Sequence, residues 1–155
     1  MYIYLVQHAE AKSKEEDPDR ALTDIGRRNM RKTATFAARQ AGISVDLIVH
    51  SGKTRARQSA EILAELLSPS KGVGESDGLN PNDDTGIWVK NLARSRENLI
   101  LVGHLPHLGK LTAHLICENP EAAVVEFKNA CMICLQRSNT GLWTVQWMIV
   151  PQLLP

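Results

Sequence analysis

Three short, unbroken apolar runs, each ending at a histidine, constrain this chain more than any other feature. Tyr2 to Val6 leads to Gln7-His8. Leu47 to His50, with Val45 just upstream, leads to Ser51. Leu99 to Val102 leads to Gly103-His104. Each run has strand length, and longer segments with helical spacing separate them. Strands that are apolar on both faces and alternate with helices predict an α/β fold, with a mostly parallel sheet covered on both sides. In such sheets binding sites open at the carboxyl ends of the strands.

The connecting segments fill in this outline. After the first strand, AEAKSKEEDPDRA reads as a loop that turns at Pro18. A helix is expected from about Leu22, capped by Thr23 or Asp24, and Gly42 is its natural stop. Ser51 is the expected cap of a second helix through KTRARQSAEILAELL, which ends before Pro69. Residues 70 to 86 read as a long loop with one short strand near Val73 or Leu79. A helix from about Thr85 to Ala93 follows, and another passes through Leu111 to Cys117. Ala123 to Phe127, Cys131 to Gln136 and Trp143 to Val150 read as C-terminal strands, the last two joined as a hairpin by SNTG.

At 155 residues the chain is expected to form a single domain, residues 1–155. The formal net charge of +1 provides no general attraction to nucleic acid or membrane, so any anion site must be local. MYIYLVQHAE turns polar too early for a signal peptide, and no apolar run reaches the ~18 residues of a membrane helix. With three cysteines and no export signal, a reducing, cytoplasmic setting is expected. Cys131 and Cys134 form a C-x-x-C, but within a strand their separation of three puts the sulfurs on opposite faces, so apolar packing is the expected role. His107 and His114 lie seven apart on one helix, without the third ligand zinc needs, so no metal and no other cofactor is expected. Arg27, Arg28, Arg31 and Lys32 read as a solvated helix face. Arg57, about 200° around the helix from Arg55, should point away from it.

If the sheet is parallel, His8, His104, Ser51 and Arg55, the last one turn into its helix, emerge at one edge. These residues lie in segments that resemble a known family. LVQHAEA resembles the L-V-R-H-G-E-A signature of the histidine phosphatase superfamily, and LTDIGRR its L-T-x-x-G helix start. SGKTRARQSAE resembles its S-x-x-x-R-x-x-Q-T segment, and LVGHLPHLG its G-H-x-P segment. The closing WMIVPQLL looks like the tail of the small phosphohistidine phosphatases of the SixA type. The resemblance implies a phosphoglycerate mutase-like three-layer α/β/α sandwich without a cap domain.

It also implies that His8 accepts a phosphoryl group and that water then hydrolyses the phosphohistidine. Neutral imidazole is nucleophilic near pH 7, and phosphoryl transfer is otherwise a matter of positioning and charge stabilisation. Arg55 has the planar fork that grips two phosphate oxygens, and His104 would bind a third, adding positive charge when protonated. Gln7, Ser51 and Arg20 are further candidates for phosphate contact. Asp83 and Asp84 are the candidates for a general acid. Gln7 stands where the signature has arginine, and Ala9 where it has glycine. Loss of one charge-assisted contact costs roughly 2–4 kcal/mol of transition-state stabilisation, unless Arg20 compensates.

The expected activity is a metal-independent phosphatase acting on phosphohistidine of a partner protein, such as a phosphotransfer domain or phosphocarrier. A phosphoramidate has a good leaving group, which suits a site with a weak acid, and an uncapped site suits a protein substrate. The alternatives are a phosphomonoesterase for a small metabolite or phosphoserine, and a low-activity phosphate-binding module in which Gln7 has replaced the arginine.

Overall fold

Six strands form one mixed sheet in the computed structural model, which describes all residues from Met1 to Pro155. They are β1 (Tyr2–Gln7), β2 (Leu47–His50), β3 (Val73–Glu75), β4 (Leu99–Gly103), β5 (Met132–Arg137) and β6 (Trp143–Ile149). The helices are α1 (Asp24–Thr35), α2 (Thr54–Leu67), α3 (Thr85–Arg94) and α4 (His107–Cys117). The sheet order is β3-β2-β4-β1-β5-β6. β1 to β4 run parallel, while β5 and β6 are antiparallel additions at one side. This is the phosphoglycerate mutase-like three-layer arrangement, without a cap domain.

Alternation along each strand builds two cores. Tyr4, Val6, Ile48, Ile100 and Val102 face α1 and α2, where Met30, Ala34, Ala56, Ala60 and Leu63 meet them. Ile3, Leu5, Val49, Leu99 and Leu101 face α3 and α4, against Trp88, Leu92, Leu108 and Leu111. Cys134 belongs to the first core and Cys131 to the second, and burial pushes both thiols up to about 11. Such thiols stay protonated at neutral pH and pack as apolar groups.

Several local expectations are corrected. Ser51 does not cap α2. The cap position is Lys53, and Ser51 turns its hydroxyl elsewhere. Residues 123 to 127 form no strand, although Phe127 is buried in the second core. Ala123 and Val124 stay exposed, and Phe127 alone inserts fully from the coil, without ladder hydrogen bonds. The short strand near Val73 is present, whereas Leu79 lies in the following turn. The first helix ends in a π-helical turn, Phe36–Gln40, closed by Ala41 N–H donating to the Phe36 carbonyl at 2.9 Å. No helix is long and apolar enough to cross a membrane.

Candidate active site

Parallel pairing puts the ends of β1, β2 and β4 side by side. Gln7 is in register with Gly103, and His50 with Val102, so His8, Ser51 and His104 leave the sheet together. His8 N–H donates to the Gly103 carbonyl at 3.1 Å, fixing the histidine directly beyond the last ladder position. The His8 and His104 rings lie 4.9 Å apart between centroids, tilted by 55°. Both are nearly enclosed, at 8% and 2% exposure.

The contacts of His8 define its tautomer. Nδ1 lies 2.7 Å from the Ala9 carbonyl, which can only accept, so Nδ1 carries the proton. Nε2 then presents its lone pair, and Arg55 donates its Nε–H to it at 3.3 Å. Burial, with smaller contributions from the Arg55 and Arg20 charges, pushes the His8 pKa down to about 4, against the opposing bond to Ala9. The ring is therefore neutral and nucleophilic at physiological pH.

His104 shares a 2.6 Å hydrogen bond with the Ser51 hydroxyl through Nε2, and its buried Nδ1 has no protein partner. Burial, followed by the field of His8, Arg55 and Lys53, holds its pKa at about 3. Neutral in the free site, His104 adds positive charge only on taking up a proton. A neutral His104 whose Nε2 accepts from Ser51 still has an Nδ1–H to donate.

Ser59 holds the two halves of the site in place. Its hydroxyl accepts from Ala9 N–H at 3.0 Å and donates to the Arg55 carbonyl at 2.7 Å, tying the residue after His8 to the turn bearing Arg55. Gln58 beside it accepts from Leu22 N–H at 2.9 Å. Sequence reading passed over Ser59, though it stands at the threonine position of the S-x-x-x-R-x-x-Q-T pattern. On α1, Thr23 is the cap, taking Gly26 N–H at 3.0 Å and donating to Glu10. Gly26 has a steric role: a Cβ there would sit 2.2 Å from the Glu10 carbonyl oxygen, so only glycine lets the loop after His8 pass.

The remaining candidates are placed as follows. Gln7 is 6% exposed, and its Oε1 is buried without a partner. Arg20 has a left-handed backbone (φ 53°) and donates Nε–H to the Lys12 carbonyl, close enough for its charge to act on both His8 and Arg55. Lys53, which sequence reading did not single out, is an exposed cation whose field reaches His104. Asp83 accepts from Asn80 N–H at 2.8 Å, and Asp84 caps α3 by accepting from Gly86 N–H at 2.8 Å. Both carboxylates lower the cost of charging His107, which is 1% exposed with neither ring nitrogen paired. His114 instead meets the Thr85 hydroxyl at 2.8 Å. Arg57 stays at the surface, 3.8 Å from Glu61.

Two neutral imidazoles side by side at a strand-end edge, with a guanidinium donating to one and a serine hydroxyl bonded to the other, make a site suited to a tetrahedral oxyanion. The family model of the histidine phosphatase superfamily (branch 1) matches residues 3–80, which include His8, Ser51 and Arg55. The chain belongs to this superfamily, and so to a class of phosphatase hydrolases. An uncharacterized protein of Picosynechococcus sp. is 36% identical over 118 residues, covering 71% of this chain and 70% of that one. Among solved structures, the chain is similar to the protein histidine phosphatase SixA complexed with tungstate, with a TM-score of 0.86, 22% identity and 98% of each chain covered. The alpha-ribazole phosphatase from Shigella flexneri is also similar, with a TM-score of 0.80, 14% identity and 97% of each chain covered. At these identities the structures share the fold.

Proposed function

We propose that the protein removes phosphate from phosphohistidine on a partner protein, through a phosphohistidine formed on His8 and without a metal ion. The carrying observation is the His8 imidazole: Nδ1–H is held by the Ala9 carbonyl, and the Nε2 lone pair faces Arg55. Nε2 attacks phosphorus as the phosphorus–nitrogen bond to the substrate imidazole breaks, and the leaving imidazole keeps or gains a proton. The Ala9 carbonyl stabilises the positive charge that develops on the His8 ring. Arg55 shifts its donors to the phosphoryl oxygens, and the hydrogen-bonded Ser51 and His104 pair meets another. Water then attacks the phosphoryl group on His8, releasing inorganic phosphate and restoring the ring.

The choice of substrate is supported by the acids. Asp83 and Asp84 already serve the Asn80 turn and the α3 cap, and the hydrogen bonds of His8 and His104 involve no carboxylate. A site with so little acid assistance favours a leaving group that departs easily, as imidazole does and an alkoxide does not. The overall similarity to SixA points the same way. The likeness to an alpha-ribazole phosphatase favours a second reading, a phosphomonoesterase for a small phosphorylated metabolite. Mixing the purified protein, in EDTA, with a phosphohistidine-bearing phosphotransfer domain and with p-nitrophenyl phosphate separates the two. Release of phosphate from the phosphotransfer domain, lost in His8→Ala, is the expected result. Turnover of the ester alone favours the metabolite phosphatase. Phosphate binding without turnover of either makes the protein a binding module and overturns the proposal.

A further inference from the structure

A cavity of about 350 Å³ lies between the first helix and the C-terminal segment, walled by Arg28, Arg31, Lys32, Thr35, Phe36 and Gln40 on one side and by Leu154 and Pro155 on the other. Its size falls at the lower end of the range for small-molecule sites, ~300–1,000 Å³. Four of these side chains follow helical neighbour spacing: Arg28 with Arg31 and Lys32, and Lys32 with Phe36. The three cations therefore share one face. Like charges at such spacing destabilise a helix by roughly 0.2–0.5 kcal/mol per pair. In a chain with a net charge of only +1, the concentration is local.

Little inside the protein offsets it. Arg31 pairs with Glu65 at 2.9 Å, with both side chains about half exposed. Arg28 has no carboxylate within 4 Å, and Lys32 donates only to the Leu154 carbonyl, at 3.3 Å, where the C-terminal segment crosses the helix. Phe36 and Gln40 of the π-helical turn also line the cavity. Such turns are rare and occur often at functional sites. This one places Phe36 between the cavity and Trp147, whose ring it meets edge-on with centroids 5.7 Å apart. Phe36 is thus braced from behind and half-buried, with Thr35 and Gln40 beside it as hydrogen-bonding groups.

We propose that this cavity is a second anion site, separate from the one around His8, and that it takes a small polyanion carrying a planar ring, a nucleoside triphosphate in chemical class. The cations meet the phosphates and Phe36 meets the ring. The lining shares no residue with the cluster of His8, Ser51, Arg55 and His104, so the two anion sites are distinct.

The test is calorimetric titration of ATP, in EDTA and at low salt, into His8→Ala protein, which cannot turn over phosphate. Two binding events per chain are expected. Adding Arg28→Glu weakens one of them about tenfold or more and leaves the other; adding Arg55→Ala does the reverse. Arg28→Gln gives a milder loss of the same event, and matching melting curves show that the variants are folded. Inorganic tripolyphosphate is expected to bind the Arg28 site several-fold more weakly than ATP. A single event lost with Arg55→Ala, or binding indifferent to Arg28→Glu, overturns the site. Tripolyphosphate binding as tightly as ATP overturns its assignment to a nucleotide. Neither result bears on whether His8 is phosphorylated.

Discussion

Arg55 donates to His8 Nε2 and, in the proposed mechanism, to the phosphoryl oxygens that this nitrogen attacks, so its removal takes away both alignment and charge. Arg55→Ala is expected to lower kcat by roughly 10²–10³, in line with the loss of one preorganised donor. Arg55→Lys should recover little of this, because a point charge cannot reproduce the planar fork. Steady-state kinetics on the phosphohistidine substrate would measure both. Gln7→Arg tests the adjacent position: restoring a cation there is expected to raise kcat/KM at least tenfold. His8, Arg55 and His104 were legible in the sequence because a parallel sheet brings its strand ends together. Ser59 and Lys53 were not, since a helix serine and a cation before a helix have many ordinary uses. Only the folded distances show that the Ser59 hydroxyl bridges Ala9 and Arg55.

At the scale of elements, the approach of α1 to the loop after β1 depends on Gly26. Gly26→Ala would set a methyl group 2.2 Å from the Glu10 carbonyl oxygen, and backbone cannot rotate out of the way. The expected cost is about 2–4 kcal/mol, read as a fall in the urea midpoint, with kcat reduced because the loop carries Ala9. Thr23→Ala, which removes the cap of the same helix, should cost about 1 kcal/mol and leave kcat largely intact. The helices were readable from their spacing, α1 also from its Thr23 cap, and β1, β2 and β4 from their apolar runs, whereas Ser51 misled as the cap of α2. The coil at residues 123 to 127 was not, because Phe127 contributes to the core without pairing. The π-helical turn after Thr35 was equally hidden, since its residues suit an ordinary helix.

For the molecule as a whole, buried neutral histidines set the response to acid. His8 and His104 titrate at about 4 and about 3 when folded, against 6.5 in an open chain, and burial lowers His50 and His107 as well. The unfolded chain therefore takes up protons first. The stability held by these groups is complete above pH 6.5 and is lost as the pH falls toward 4, by about 1.4 kcal/mol per unit of separation for a fully buried group. Denaturant midpoints at pH 7.5, 5.5 and 4.5 should fall in that order. The acid limb of kcat/KM should lie well below pH 6.5, because His8 stays unprotonated in the free enzyme. Strand order has a consequence for biosynthesis. β1 lies between β4 and β5, so Leu5 finds its partners only in Leu101 and Ile133. A nascent chain emerging from the ribosome must keep its first strand unpaired until β4 has emerged, and open on its other edge until β5 follows. Phosphate turnover would then stay silent until β4 and β5 have both joined the first strand.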